Sequence, residues 1–322
     1  MMKIDAVITW VDGNDPEHRR KRAEYGSDSL FKIKDIASST RYSSVGEIFW
    51  CVASLNRFAP WIHKIYIVTD NQDPGLDGFI KSRFPDSCIP MEIVDHKVIF
   101  RGYEDYLPTF NSISLETMTW RIPGLSDHFI EFNDDLMLTA PVQPQDFFTQ
   151  DGKVICYARK SSMHLTRLTR LFKPVKFGIK PVTTKGSHMN GARLAGSRFW
   201  FLRLAHCQKA LRRDFYQEYF SEHPEELVRN ISHRFRSAEQ FTPQELQYIT
   251  LYDRRECELR SPRKDFFYFI PKSKRGYFEG KMKKLEHFSG KFACFNNVDL
   301  ATAEQLKRLI SWIERRLDVS FD

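Results

Sequence analysis

No stretch of this chain approaches the ~20 consecutive apolar residues needed to cross a membrane as a helix. The amino terminus, Met1-Met2-Lys3-Ile4-Asp5, runs straight into an apolar strand pattern and lacks the layout of a secretory leader. The cytoplasm is therefore the expected location. Cysteine is sparse: Cys51, Cys88, Cys156, Cys207, Cys257 and Cys294 are scattered, and no two have the close spacing of a zinc site. Reduced, space-filling thiols are expected. Internal repeats and low-complexity tracts are missing as well. What is present belongs to a folded protein: 42% hydrophobic residues and 14% aromatics, with 27 Phe. The 322 residues suffice for one large domain or two smaller ones, either with a substantial core. A net charge of +8 points to an anionic partner, whether nucleic acid, phosphorylated polymer, nucleotide or acidic membrane face.

Residues 4–10 are β-rich and barely alternate, as in a buried parallel strand. The turn-rich loop Val11-Asp12-Gly13-Asn14-Asp15-Pro16 follows, and residues 17–40 read as a charged, irregular flap. Ser44-Val45-Gly46-Glu47 has capping-box spacing, and Ile48, Val52, Leu55 and Phe58 mark a helix that stops before Pro60. Residues 64–69 and 91–94 read as the next strands, and Asn111 or Ser112 caps a helix running to about Arg121. A fourth strand, 128–132, leads to Asn133-Asp134-Asp135. This order predicts an α/β fold: a Rossmann-like, mostly parallel sheet flanked by helices, with a helical insertion or lobe. The expected layout is a single catalytic domain, with an α/β core over 1–158 and 291–322 and a mainly helical, basic lobe over 159–290. Residues 301–317 carry the apolar stripe of a terminal helix.

Several groups of residues could carry chemistry. Asp134 and Asp135 stand at the carboxyl end of a strand, where open α/β sheets place ligands; Asn-Asp-Asp is equally good turn chemistry. Mg²⁺ and Mn²⁺ favour such hard oxygen donors. The loop from Trp10 to Asp15 can bring backbone near a nucleotide, yet it lacks the spacing of a phosphate-binding glycine loop. Asn111 and Ser112, at a helix start, suit either an anion or a plain cap. His206 and the run Ser232-His233-Arg234-Phe235-Arg236 lie in the expected helical lobe, where a histidine is commonly a surface residue. The arginines could clamp a phosphate or form a solvated turn. Cys294-Phe295-Asn296-Asn297 could orient a ligand or make a turn.

Taken in order, these blocks resemble the conserved regions of the Stealth family of sugar-1-phosphate transferases. That family includes bacterial capsular polysaccharide phosphotransferases and the animal enzyme that tags lysosomal glycans. The similarity rests on residues 4–16, on the stretch from Arg41 to Asp135 with Leu107-Pro108-Thr109-Phe110-Asn111-Ser112 and Phe132-Asn133-Asp134-Asp135, on His206 to Arg236, and on the surroundings of Cys294. Gln208 stands where the family often has proline, and Asn297 where it commonly has an acid, with Asp299 close by. The resemblance implies transfer of a hexose-1-phosphate or N-acetylhexosamine-1-phosphate from a UDP-sugar to a hydroxyl of a growing capsular or cell-surface polysaccharide, releasing UMP.

The roles implied are specific. Asp134 and Asp135, with Asn296 as a further ligand, would hold Mg²⁺ or Mn²⁺. Arg234 and Arg236 would neutralise diphosphate charge, and His206 would serve as general base, an imidazole pKa of about 6.5 suiting that task. Trp10, Asp12, Gly13, Asn14 and Asp15, with Arg41, Asn111 and Ser112, would hold the nucleotide-sugar, and Asp5 would support that loop from below. The expected partners are a UDP-sugar donor and an anionic polysaccharide or oligosaccharide acceptor, with peripheral contact to the inner face of the cell membrane or to capsule export machinery. A metal-dependent glycosyltransferase releasing UDP is the alternative. No nucleic acid is expected, because no recognition-helix or stacking-sheet signature appears. Lys160, Arg167, Arg170, Lys173, Lys176 and Lys180 are interleaved with Leu and Phe. A groove lined by Arg167, Arg170, Lys173 and Lys176 could guide an anionic polymer, or the segment could touch acidic lipid or be a solvated face.

Overall fold

The computed structural model describes residues 2–26, 45–86, 88–171 and 182–321, except for the side chains at 167 and 169–171. The strands are β1 (Ile4–Thr9), β2 (Ile65–Thr69), β3 (Met91–Asp95), β4 (His128–Asn133), β5 (Leu136–Leu138), β6 (Val154–Ser162), β7 (Trp200–Leu204), β8 (Lys209–Arg212), β9 (Cys257–Arg260), β10 (Phe266–Phe269) and β11 (Phe292–Phe295). The main sheet has the order β3-β2-β1-β4-β8. Its first four strands are parallel, and β8 runs antiparallel to β4. Every residue of β1 and β2 is buried, which explains their near-continuous apolar sequence: both faces of a parallel sheet are covered.

Two smaller sheets continue the architecture, β10-β11-β5 and β7-β6-β9. The helix Glu47–Phe58 packs against β5 and the terminal helix Ala303–Leu317. That terminal helix opens with a full capping box from Thr302 and Gln305, and it buries Leu309, Trp312, Ile313 and Leu317.

Three local expectations are corrected. Residues 17–25 are not irregular: Pro16–Tyr25 is a helix, with Asp15 accepting from the His18 N–H at 2.7 Å. Ser44 lies outside the described residues, and the start of the helix Glu47–Phe58 is Gly46 in the left-handed region. The helix capped by Asn111 is short, Ser112–Glu116, and the chain turns again at Thr119–Arg121. Thr117 donates to the Ile113 carbonyl at 2.7 Å, and such local side-chain bonding competes with helix propagation.

Helices predominate among the described residues of the 159–290 segment, as expected, but it also supplies β7, β8, β9 and β10, and β8 joins the main sheet. Sequences such as WFLRL and KALR are short and charged, so their apolar spacing fits helix and strand alike.

Candidate active site at the sheet switch point

The strand order reverses direction between β1 and β4, since the chain winds outward through β2 and β3 and then returns to the other side of β1. Open α/β sheets bind ligands in the crevice at the carboxyl ends of such a strand pair. Here those ends carry Trp10 to Asn14 on β1 and Asn133-Asp134-Asp135 on β4, with Thr9 paired to Asn133.

Asp134 and Asp135 form the turn by which the chain leaves β4 in the main sheet for β5 in the second. The turn and functional readings of this pair are therefore compatible. Because β5 pairs antiparallel with β11, the end of β11 is drawn beside the turn, and Phe295 N–H donates to the Asp135 carbonyl at 2.9 Å. Asp135 Oδ2 then accepts from the Asn296 amide at 2.9 Å and faces the Cys294 thiol at 3.3 Å.

His206 sits in the bend between β7 and β8, not on a helix. The antiparallel register that pairs Lys209 with Glu131 carries the residues before β8 toward the carboxyl end of β4. His206 Nε2 thereby comes within 3.7 Å of Asp135 Oδ2, with its ring edge-on to Tyr268 at 5.9 Å. The imidazole is about half exposed, which leaves it open to a substrate.

The two carboxyls respond differently to one environment. Burial, the neighbouring Asp135 charge and Glu47 push the Asp134 carboxyl well above its ordinary range. Burial also works against ionisation of Asp135, but His206, Asn296 and Cys294 outweigh it and hold that carboxyl low. Burial, with Asp135 adjacent, pushes the Cys294 thiol well up.

Asp135 Oδ1 and Asn133 Oδ1 are buried oxygen acceptors with no hydrogen-bond partner among the described residues. Unpaired buried oxygens beside a second carboxyl fit a hard divalent ion, which would satisfy them and offset the like-charge cost. Asn296 meets the Asp135 carboxylate through its amide nitrogen and so positions that carboxylate. A polar atom from each of Asp135, His206 and Cys294 also lies within 4.8 Å of the others, a mixed O, N, S set that suits a borderline ion.

The first loop is tied to the sheet edge. Asp12 N–H donates to Gln72 Oε1 at 2.8 Å, and the Gln72 amide returns a bond to the Asp12 carbonyl at 3.0 Å. Asp12 Oδ1 accepts from the Asn14 N–H at 2.8 Å. Gly13 is buried, and Trp10 is buried with its indole N–H unpaired among the described residues. Asp15 caps the helix Pro16–Tyr25.

Asp5 is not beneath that loop. It lies at the amino end of β1, roughly 13 Å along the strand from Thr9, where its carboxylate accepts from Ser126 N–H at 2.7 Å and meets His63 Nδ1 at 2.8 Å. Arg41 lies outside the described residues.

The second and third sequence blocks do meet, though as structure. Asn111 Nδ2 donates to the His233 carbonyl at 2.9 Å and to Gln240 Oε1 at 2.8 Å, while its Oδ1 caps Ile113 N–H. That side chain is fully engaged in holding two segments together. Arg234 gives one Nη to the Pro108 carbonyl at 2.8 Å and the other to the Asp105 carbonyl at 3.0 Å, which corrects the reading of it as a phosphate clamp. Arg236 donates to Ser112 Oγ at 2.6 Å.

Gln72 and Tyr268 join the site without having been expected there, whereas Cys294 was expected in a segment that could orient a ligand. Gln72 had one usable signal, its place just past the end of a predicted strand. Lys160, at the start of the basic stretch, sits over the Trp200 and Tyr252 rings at 4.4 and 4.1 Å. The side chains of Arg167 and Arg170, and all of Lys173, Lys176 and Lys180, fall outside the described residues.

Comparison with known proteins adds an independent line. Residues 41–156 match Stealth protein conserved region 2, and residues 2–30 match conserved region 1. An exopolysaccharide phosphotransferase of Streptomyces coelicolor is 35% identical over 243 residues, 74% of this chain and 41% of its own length. A receptor polysaccharide phosphotransferase of Streptococcus gordonii is 46% identical over 151 residues, 47% of this chain and 42% of its own. A capsular polysaccharide phosphotransferase of Haemophilus influenzae is 32% identical over 241 residues, 72% of this chain and 60% of its own. The chain thus spans about two fifths of the first relatives' length. Among solved structures, an active-site mutant of LgtC aligns at a TM-score of 0.46 and 9% identity, covering 96% of this chain and 95% of that one.

Proposed function

This chain belongs to the Stealth family, and on that premise we propose that it moves a hexose-1-phosphate or N-acetylhexosamine-1-phosphate from a UDP-sugar to a polysaccharide hydroxyl. The observation that carries the reading is the meeting of His206 and Asp135 at 3.7 Å at the switch-point end of β4.

In the proposed reaction His206 takes the proton of the acceptor hydroxyl. The freed oxygen bonds to the phosphorus nearer the sugar, the bond from that phosphorus to the bridging oxygen breaks, and UMP leaves. Asp135, held by Asn296 and Cys294, orients the imidazole and stabilises it once protonated. The loop Trp10–Asn14, steadied by Gln72, lies across the crevice where the nucleotide would rest. Arg236, which donates to Ser112, would supply positive charge to the diphosphate.

Asn133, Asp134 and Asp135 would hold Mg²⁺ or Mn²⁺, which when bound would draw charge from the diphosphate. The acceptor, by the same reasoning, is a growing capsular or cell-surface polysaccharide.

The discriminating experiment incubates the protein with a panel of UDP-sugars, divalent ion and acceptor oligosaccharides, and identifies the released nucleotide. UMP with a phosphodiester in the product is expected. UDP alone, with no phosphorus in the product, would transfer the reading to a glycosyltransferase.

A further inference from the structure

Between Val154 and Arg213 the sequence has fourteen Lys and Arg and neither Asp nor Glu, in a chain whose net charge is only +8. The rest of the protein is therefore net acidic, and the positive charge is concentrated in the segment that forms β6, β7, β8 and the helices Met163–Leu171 and Thr184–Leu194. Within it Arg159 and Arg203 are register partners on β6 and β7, and both are exposed. Like charges directly opposite in a sheet are destabilising. Arg159, Lys185, Arg198 and Arg203 form no salt bridge among the described residues, and all four are exposed. Such an arrangement is one that an anionic partner would relieve.

Charge alone fits a soluble polyanion and a lipid surface equally well. The apolar side chains separate them. Leu165, Leu168 and Phe199 are 69%, 56% and 68% exposed, the three most exposed large hydrophobics among the described residues. They lie together: Leu165 and Leu168 are one turn apart on the helix Met163–Leu171, Phe199 O accepts from Met163 N–H at 2.9 Å, and the Phe199 ring is 6.0 Å from His164. Bare leucines and a phenylalanine on a basic element have little to offer a hydrated polymer. They suit the boundary between lipid headgroups and acyl chains, where an amphipathic basic helix buries its apolar face.

We infer that the helix Met163–Leu171 together with Phe199 docks the protein on an anionic lipid bilayer. Leu165, Leu168 and Phe199 enter the interface, while Arg198, Arg203 and Arg159 meet the headgroups. The helix Met163–Leu171 has nine residues, too few to cross a bilayer, so the contact it makes is interfacial. The inference stands independently of the transfer chemistry.

The test is co-sedimentation of the full chain with vesicles of phosphatidylcholine, with and without phosphatidylglycerol, across a range of salt. Binding is expected only with phosphatidylglycerol and should weaken as salt rises. Arg198→Glu with Arg203→Glu should lower partitioning by more than about 25-fold, each basic residue contributing roughly fivefold near an anionic surface. Leu165→Asp with Phe199→Asp should lower it by about tenfold or more at constant basic charge. All four residues are exposed, so unchanged thermal unfolding is expected and serves as the folding control; a single-site pair, Leu165→Ser and Phe199→Ser, replaces any variant that fails it. Equal binding to neutral and anionic vesicles, or none to either, overturns the inference. So does binding to a soluble polyphosphate that the Leu165 and Phe199 variants leave intact along with vesicle binding.

Discussion

His206 Nε2 lies 3.7 Å from Asp135 Oδ2, and each residue stands where the chain passes from one sheet to another. Asp135 closes the turn from β4 to β5, and His206 occupies the bend from β7 to β8. Two sheet crossings thus converge on one point of the main sheet's carboxyl edge. Neither residue is placed there by its own element, so the pair depends on the register between β4 and β8.

That dependence makes the pair testable. His206→Gln is expected to lower turnover by about 10²–10⁴-fold with little change in donor affinity, the usual worth of a general base. Asp135→Asn should lower turnover too, and should also weaken divalent-ion binding. Steady-state kinetics beside equilibrium donor and Mn²⁺ titrations separate the two effects. Full activity in both variants would remove these residues from the reaction.

Chelation should abolish transfer, and Mg²⁺ or Mn²⁺ should restore it. Asp134→Ala and Asn133→Ala are expected to raise the ion concentration required. Since Asp134 is held well above its ordinary range, protons compete with the ion for it, and affinity should weaken as pH falls. Mn²⁺ titration calorimetry at two pH values checks the sign.

Asn111→Ala is expected to cost roughly 2–4 kcal/mol of stability, because it strips partners from Gln240, the His233 carbonyl and Ile113 N–H in a buried setting. Denaturant unfolding measures the loss. A variant of unchanged stability but poor donor binding would instead return Asn111 to the nucleotide site.

Beneath the site, burial and then the charge of Glu116 raise Glu131 to about 8 from an ordinary 4.5. Gln244 donates to both Glu131 and Glu116, and Lys209 stands 3.9 Å from Glu131. A raised carboxyl holds its proton in the folded chain after the unfolded chain has lost it. Its contribution is therefore complete below about pH 4.5 and is lost as pH rises through about 8. Glu131→Gln should flatten the stability profile across that window, by an amount on the order of a few kcal/mol. An unchanged slope in urea unfolding would show that another group sets it.

Much of the parallel sheet was legible because its signals are local. The apolar runs of β1 and β2, the turn residues after them, and the apolar stripe of the terminal helix each sit within a few residues of what they specify. The helix Pro16–Tyr25 was equally well marked, by Asp15, Pro16 and Glu17, but a dense basic run obscured it. Strands β7 and β8 were not legible, since four or five residues with interleaved charge fit two periodicities. Arg234 shows a second limit: residue type suggested a phosphate clamp, yet the carbonyls of Asp105 and Pro108 take both its Nη groups.

By itself the sequence determined the four parallel strands β1 to β4, the placement of Asp134 and Asp135 after a buried strand, and the family. The tertiary structure alone decided which distant residues join them. Cys294 and Asn296 reach Asp135 through the β5–β11 pairing, and His206 through the β4–β8 pairing. The physical reason is that strand pairing is non-local: each segment carries the period that makes it a strand, and none carries the identity of its neighbour. A carboxylate after a strand is consistent with a turn or with an active site until those pairings bring an imidazole to within 3.7 Å of it.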